Sequence, residues 1–223
     1  MSQRTIMAGQ STSQGRTTIL LGTGNPAKQH TLNWLLEGLA LSPVTPGRLG
    51  LLTAPQETGD THEAIARSKA QDWSSAASTL AIASDGGLVL PALGIGWDSR
   101  RTHRFAGPAA DDAQRLRGLL DLMRPYRGPQ REASWVEAVA IADRGEVLAS
   151  WELRGATGII AEGPAGPVQP AGFWAFSVWY FPQFSKTYDQ LAPEEREALQ
   201  DHWGRLKVLV RHFFRGYSTP AGG

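Results

Sequence analysis

The spacing of apolar positions changes along the chain, and the changes predict alternating strands and helices. Ile19, Leu20 and Leu21 form a short continuous apolar run, as a buried strand does. Gly22 and Gly24 interrupt it, and Leu32, Leu35, Leu36 and Leu39 then recur at helical spacing. Asn25 is placed to cap that helix, and Pro26 suits its first turn, where a missing N–H costs nothing. Residues 49–52 read as another short strand, whereas residues 42–47, Ser-Pro-Val-Thr-Pro-Gly, do not. Asp60 and Glu63 stand at capping-box spacing, so a helix is expected to start there and run to about Ala76.

Residues 80–83 form the next apolar run, followed by Ser84-Asp85-Gly86-Gly87. Asp-Gly suits a tight turn between strands. The same aspartate at a strand end can also bind a metal or take a proton from water. Arg100, Arg101, His103 and Arg104 cluster just before Phe105-Ala106-Gly107. A further helix opens at Asp111-Asp112 and carries Leu116, Leu119, Leu120 and Met123 on one face. Two β runs, about 134–142 and 146–155, flank the hairpin signal Asp143-Arg144-Gly145. Residues 163–167 read as a loop. Residues 172–184 are crowded with Phe173, Trp174, Phe176, Trp179, Tyr180, Phe181 and Phe184. Some of these rings belong in a core, and one beside a cleft would stack on a base. Pro193-Glu194-Glu195 opens a last helix running toward Phe214, with a bend or break expected at Gly204.

Composition narrows the chemistry. The 223 residues suit one domain or a two-lobed one. The 22 basic and 21 acidic side chains give no overall field toward nucleic acid or membrane, so neither is expected as a partner. No cysteine is present, which removes disulfides, thiolate nucleophiles and thiolate metal sites. The five histidines show no metal-ligand spacing. No apolar run approaches the ~18 residues of a membrane span, and the first sixteen residues lack the apolar centre of a signal peptide. A cytoplasmic protein is expected, with loose tails at 1–16 and 216–223 around a folded unit at 17–215.

The loop after the first strand carries the clearest chemical suggestion. A glycine-punctuated strand-to-helix turn, with Lys28 in the first helical turn, offers backbone N–H groups and a cation to an anion. Gly22, Gly24 and Ala27 also fit the dinucleotide fingerprint, but that motif needs a second strand ending in an acid about 20 residues on. Phosphate is therefore the expected ligand, and a turn with no ligand is the plain alternative.

Taken together, these pieces resemble the inosine triphosphate pyrophosphatase family, over about residues 18–209. The family's T-G-N-x-x-K is matched by Thr23, Gly24, Asn25 and Lys28. Its E-T-G-x-T-F-x-E-N-A-x-x-K-A falls on residues 57–70, ending at Lys69-Ala70. Its A-D-D-S-G-L falls on Ala83 to Leu88, its S-A-R-Y-A-G on Thr102 to Gly107, and its K-T-x-x-E-L-x-P-E-E-K on Lys186 to Arg196. The resemblance implies an elongated, two-lobed α/β fold with a long curved mixed sheet, a nucleotide cleft between the lobes and a homodimer. It implies hydrolysis of a purine nucleoside triphosphate to monophosphate and pyrophosphate with magnesium. Carried over residue by residue, Thr23, Gly24, Asn25, Lys28, Lys69 and Arg104 would hold phosphate. Phe173, Trp174, Phe176, Lys186 and His202 would surround the base. Asp85 would be catalytic and ligate the metal, with Glu63 as a second catalytic acid.

The departures bear on the same site. The family's metal-binding glutamate falls on Ala64, and Glu63, one residue earlier, points about 100° away on a helix. The first aspartate of the D-D pair is Ser84, and S-G has become Gly86-Gly87. F-G-Y-D-P has become Phe173 to Ser177 without the aspartate, and S-H-R-G is nearest to Asp201-His202-Trp203-Gly204, without the arginine. Magnesium normally keeps one or two carboxylates besides substrate phosphates, so a weak, substrate-dependent ion is expected. Three functions compete: a divergent pyrophosphatase, an enzyme cleaving a nucleotide's N-glycosidic bond with a carboxylate, and a nucleotide-binding protein without catalysis.

Overall fold

The structure, a computed structural model, describes residues 16–51, 53–56, 58–164 and 173–217. Most of both expected tails, Glu57, and the loop from Ala165 onward lie outside these. The first apolar run forms β1 (Thr17–Leu21), and its two neighbours in the sheet are parallel to it. Helix α1 (Pro26–Leu36) returns the chain to one of them, β2 (Leu41–Val44), and α2 (His62–Ala77) leads to the other, β3 (Leu80–Val89). The region read as strandless after the first helix therefore does hold a strand. Its Pro43 hides the signal, and β2 tolerates proline because it is the sheet edge. Of the strand expected at 49–52, Leu52 lies outside the described residues and the rest is not strand: Pro46–Leu49 is a 3-10 turn closed by Gly50 in a left-handed conformation, φ 72°.

The β4–β5 hairpin appears as expected, but longer. β4 (Glu132–Asp143) and β5 (Glu146–Ile160) are joined through Arg144 and Gly145, both at positive φ, as a two-residue hairpin turn requires. Two short strands, β6 (Trp179–Phe181) and β7 (Lys186–Thr187), complete a seven-stranded mixed sheet in the order β2-β1-β3-β4-β5-β6-β7. Asp85-Gly86-Gly87 is no turn. These residues lie inside β3, paired in unbroken register with residues 136–138 of β4.

Two apolar clusters lie toward opposite ends of the long β3–β5 strands. One gathers Ile82, Val139 and Ile141 against Leu32 and Leu35 of α1 and against Leu206 and Val210 of α5 (His202–Gly216). The other gathers Leu88 and Trp135 with α3 (Asp112–Met123) and the rings Trp174, Phe176, Trp179 and Phe181. The last helical region breaks earlier than Gly204. Helix α4 (Pro193–Ala198) ends, Gln200 turns to φ 51°, and the Asp201 carboxylate accepts a hydrogen bond from Trp203 N (3.2 Å) to start α5. Gly216 thus ends a helix rather than opening a tail. Among the described residues no helix is long and apolar enough to cross a membrane.

Ile141 is fully buried between β3 and the α1–α5 layer. Ile141→Ala is expected to cost about 2–5 kcal/mol of unfolding free energy, read from urea denaturation followed by circular dichroism.

Candidate functional site

The loop after β1 is built by its own hydrogen bonds. Asn25 Oδ1 accepts from Ala27 N (2.9 Å) and Lys28 N (3.3 Å), and Thr23 Oγ1 accepts from Asn25 N (3.1 Å). The helix-start donors expected to be free for an anion are therefore already capped. Gly24 stays exposed, and its missing side chain leaves open space above the turn. Gly22 is needed for another reason: a methyl there would lie 2.8 Å from Trp73 Cδ1 of α2 and 3.1 Å from Ile82 O.

Asp85 is the centre of a buried cluster. Helix α2 turns one stripe inward, His62, Ala66, Lys69, Ala70 and Trp73, and its first member meets the aspartate. His62 Nδ1 lies 2.6 Å from Asp85 Oδ2, and His62 Nε2 lies 2.9 Å from Ser99 Oγ. Lys69 donates to Ser84 O (2.9 Å), and its ammonium is 3.8 Å from Asp85 Oδ1. Burial pushes the Asp85 carboxyl up. The His62 hydrogen bond and the charges of Lys28, Lys69 and His62 outweigh that and hold it below its ordinary value. The helix is capped by Thr61 Oγ1 on Ala64 N (3.0 Å), not by Asp60. Glu63 is turned away from this cluster, accepting from Ser150 Oγ of β5 (2.6 Å). One helical step of about 100° separates it from His62, so both side chains cannot face Asp85.

The opposite face of β3 holds a second carboxylate. Side chains alternate along a strand, so Gly86 faces away from Asp85. Its partner across the β3–β4 ladder is Glu137, which is fully buried. Glu137 Oε2 accepts from Trp135 Nε1 (2.8 Å), while Oε1 accepts no hydrogen bond and lies 3.8 Å from Lys28 Nζ. A side chain at 86 would collide with this carboxylate and lie 2.7 Å from Val136 O. A side chain at 87 would collide with the Ser99 carbonyl. The two glycines let groups from both faces close on the strand.

A cavity of ≈ 1090 Å³ opens beside α1, with Thr31 and Trp34 on one wall and Phe173, Tyr188, Arg196 and Trp203 among the rest. Phe173 and Phe176 stack in parallel at 4.8 Å, with Phe173 the more exposed. The Arg196 guanidinium lies 5.0 Å over the Tyr188 ring, and its Nε has no hydrogen bond. Asp201 also lines the cavity and accepts from Tyr188 Oη (2.8 Å). Burial raises the Tyr188 phenol well above its ordinary value, and the charge and hydrogen bond of Asp201 raise it further.

Of the ring and polar residues expected around a base, only Phe173 and Phe176 reach this wall. Trp174 is a core residue, 3% exposed, packed on Phe105 (5.7 Å between ring centroids). Lys186 is drawn to Glu195 (2.7 Å), and His202 is wholly buried behind Asp201. Arg104 is exposed on the turn before α3. Tyr188, Arg196, Asp201 and Trp203 do line the cavity and were not singled out. His62 and Glu137 were missed too. The available signals were an inward-facing histidine on the α2 stripe and a lone acid within the apolar run of β4.

The donor set bears on a metal. Among the described residues no group of three His, Asp or Glu could hold one. Ala64 brings only a methyl group, and Asp85 and Glu137 lie on opposite faces of the sheet. Asp85 is a carboxylate beside Lys69, and a single such ligand suits an ion held chiefly by substrate phosphates.

Comparison with known proteins gives a consistent picture. Residues 19–207 match the model of the Ham1 family. A protein of Yersinia pseudotuberculosis named dITP/XTP pyrophosphatase is 33% identical over 193 residues, covering 86% of this chain and 95% of its own. A protein of the same name from Mycobacterium bovis is 33% identical over 207 residues, covering 91% and 98%. The structure of a HAM1 protein from Coxiella burnetii superposes with a TM-score of 0.73 at 26% identity, covering 90% of this chain and all of that one.

The Gly86–Glu137 pairing can be tested directly. Gly86→Ser puts a side chain where the carboxylate lies and is expected to cost about 1–3 kcal/mol of stability. Gly86→Ser combined with Glu137→Ala is expected to recover part of that loss in the same thermal melt, because the carboxylate collision is gone while the close contact with Val136 O remains.

Proposed function

The chain belongs to the Ham1 family, and from that premise we propose that it hydrolyses purine nucleoside triphosphates of the dITP and XTP kind to monophosphate and pyrophosphate. The observation that carries the reading is that Lys28 and Lys69 both act on Asp85 inside β3, while an aromatic cavity opens beside α1, the helix that carries Lys28. The triphosphate would lie along Gly24, Lys28 and Lys69, whose charges offset its own. The base would enter the cavity with one face on Phe173, between Arg196 and Asp201, which offer a donor and an acceptor to a ring edge. Asp85, kept ionised by its cationic neighbours, is the acid on which proton removal from the attacking group depends. When bound with substrate, magnesium supplies charge neutralisation and orients the phosphates, with Asp85 as the protein ligand.

A second reading draws on Glu137. A buried carboxylate with one oxygen lacking a hydrogen bond, next to the phosphate lysine and braced by Trp135 against the cavity rings, could stabilise a cation-like sugar. Product analysis separates the two: pyrophosphate supports the first reading and free base the second, and binding without turnover removes both.

Three measurements follow. Lys28→Ala is expected to weaken nucleotide binding at least tenfold, about 1.4 kcal/mol, in a folded protein; unchanged affinity would sink the phosphate assignment. Phe173→Leu is expected to raise KM for inosine triphosphate more than it lowers kcat. Isothermal titration of magnesium into the nucleotide-free protein is expected to show no micromolar site, with pyrophosphate release requiring millimolar-range magnesium and lost in Asp85→Asn. Tight binding without nucleotide would count against substrate-held magnesium.

A further inference from the structure

A second cavity, of ≈ 410 Å³, opens beside the end of α3, and Arg117, Arg124, Arg127 and Arg131 all line it. None of its lining residues belongs to the cluster around Asp85 or to the aromatic cavity beside α1. With 22 basic and 21 acidic side chains in the whole chain, this positive charge is a local arrangement.

Helix α3 turns Leu116, Leu119 and Met123 into the core. Arg117, Leu120, Asp121 and Arg124 follow one another at spacings of three and four residues, so they share a neighbouring stripe, and that stripe walls the cavity. A helix C-terminus ordinarily presents free carbonyls and partial negative charge. Here guanidinium groups take up those carbonyls. Arg131 is buried and donates from Nη1 to Met123 O (2.6 Å) and Tyr126 O (3.3 Å), and from Nη2 to Ala161 O (2.7 Å). Arg127 Nη1 donates to Arg124 O and to Tyr126 O (2.8 Å). The helix end is thereby turned from electronegative to electropositive.

Capping accounts for Arg127 and Arg131 but not for the other two. Arg124 pairs with Asp121, and Arg117 makes no hydrogen bond or ion pair among the described residues. Against the arginines the cavity sets only the carboxylates of Asp121 and Glu162. Burial pushes the Arg131 guanidinium below its ordinary value, Glu162 pulls it back up, and the like charge of Arg127 pushes it down again. Arg127 and Arg131 are thus close enough to repel, and an anion between them relieves that repulsion. Arg117 and Arg124 stand two turns apart, about 10.5 Å along the helix axis. Two linked phosphates, with anionic oxygens in a row, match that spread better than one, and guanidinium forks pair with such oxygens two at a time.

We propose that this cavity is a second anion site, separate from the Asp85 site, for a ligand carrying two linked phosphates. Arg117 and Arg124 recognise it, and Arg127 and Arg131 form its fixed positive floor. The proposal stands apart from the pyrophosphatase reading.

The test titrates inorganic pyrophosphate into the isotope-labelled full chain at constant ionic strength and follows the backbone amides by NMR. Saturable shifts are expected across residues 117–128, separate from any at 22–28. Lys28→Ala is expected to keep the 117–128 response, because Lys28 belongs only to the other seat. Arg117→Glu reverses one charge on an exposed side chain and is expected to weaken that response at least tenfold. Arg124→Gln is a second variant with the same expected direction, should Arg117→Glu fail to fold. Inorganic phosphate is expected to bind there at least tenfold more weakly than pyrophosphate. No saturable shift at 117–128, an unchanged response in the folded arginine variants, equal affinity for phosphate, or loss of these shifts in Lys28→Ala would each overturn the proposal. Saturation by an acidic peptide but not by pyrophosphate would overturn it in favour of a protein partner. Pyrophosphate release from nucleotides is scored separately, and its absence touches only the pyrophosphatase reading.

Discussion

The site depends on charges held close to the middle of β3. Asp85 of β3 and Glu137 of β4 are buried carboxylates on opposite faces of the sheet, and each has a lysine ammonium 3.8 Å away. An unpaired buried carboxylate is strongly disfavoured, so Lys28 and Lys69 also stabilise the folded state. The same lysines form the candidate phosphate seat. On the proposed reading a triphosphate there would compete with the carboxylates for both ammonium groups. Glycines at 86 and 87 make the arrangement possible, because side chains there would occupy the places of the Glu137 carboxylate and the Ser99 carbonyl.

This explains what could be read from the sequence and what could not. The β1 run, the Asn25 cap, the inward face of α3 and the 143–145 hairpin follow from local periodicity and turn chemistry, and all four formed. Five motifs in order pointed to the family that the comparisons bear out. The errors came where tertiary contacts override local signals. Asp-Gly-Gly reads as a turn until a neighbouring strand and a loop are known to fill the glycines' space. Thr61 rather than Asp60 caps α2, and two hydroxyl or carboxylate residues in a row cannot be ranked by spacing alone. Pro43 disguised an edge strand. The aromatic run could not be divided between core and cavity, because its period is broken by a 3-10 turn, Trp174–Ser177, that directs successive rings to different sides.

Two of the residues that depart from the family's motifs lie on α2. Where the motif has a phenylalanine, His62 supplies an imidazole to the aspartate; where it has a metal-binding glutamate, Ala64 supplies nothing polar. The loss and the gain sit two residues apart on one helix and act on one carboxylate. An imidazole that donates a hydrogen bond to Asp85, in place of a ligand that shares a cation with it, alters what that aspartate can do. An aspartate holding a cation organises phosphates, whereas one hydrogen-bonded to imidazole fixes a tautomer and strengthens a neighbouring proton acceptor. Both depend on the carboxylate being charged, which the His62 hydrogen bond and the nearby lysines favour. This chain therefore holds an aspartate inside a β-strand, its carboxyl kept below its ordinary value by its neighbours. The chemistry attached to it is decided by which residue of α2 stands opposite, and in this chain that residue is a histidine already in contact with a hydroxyl.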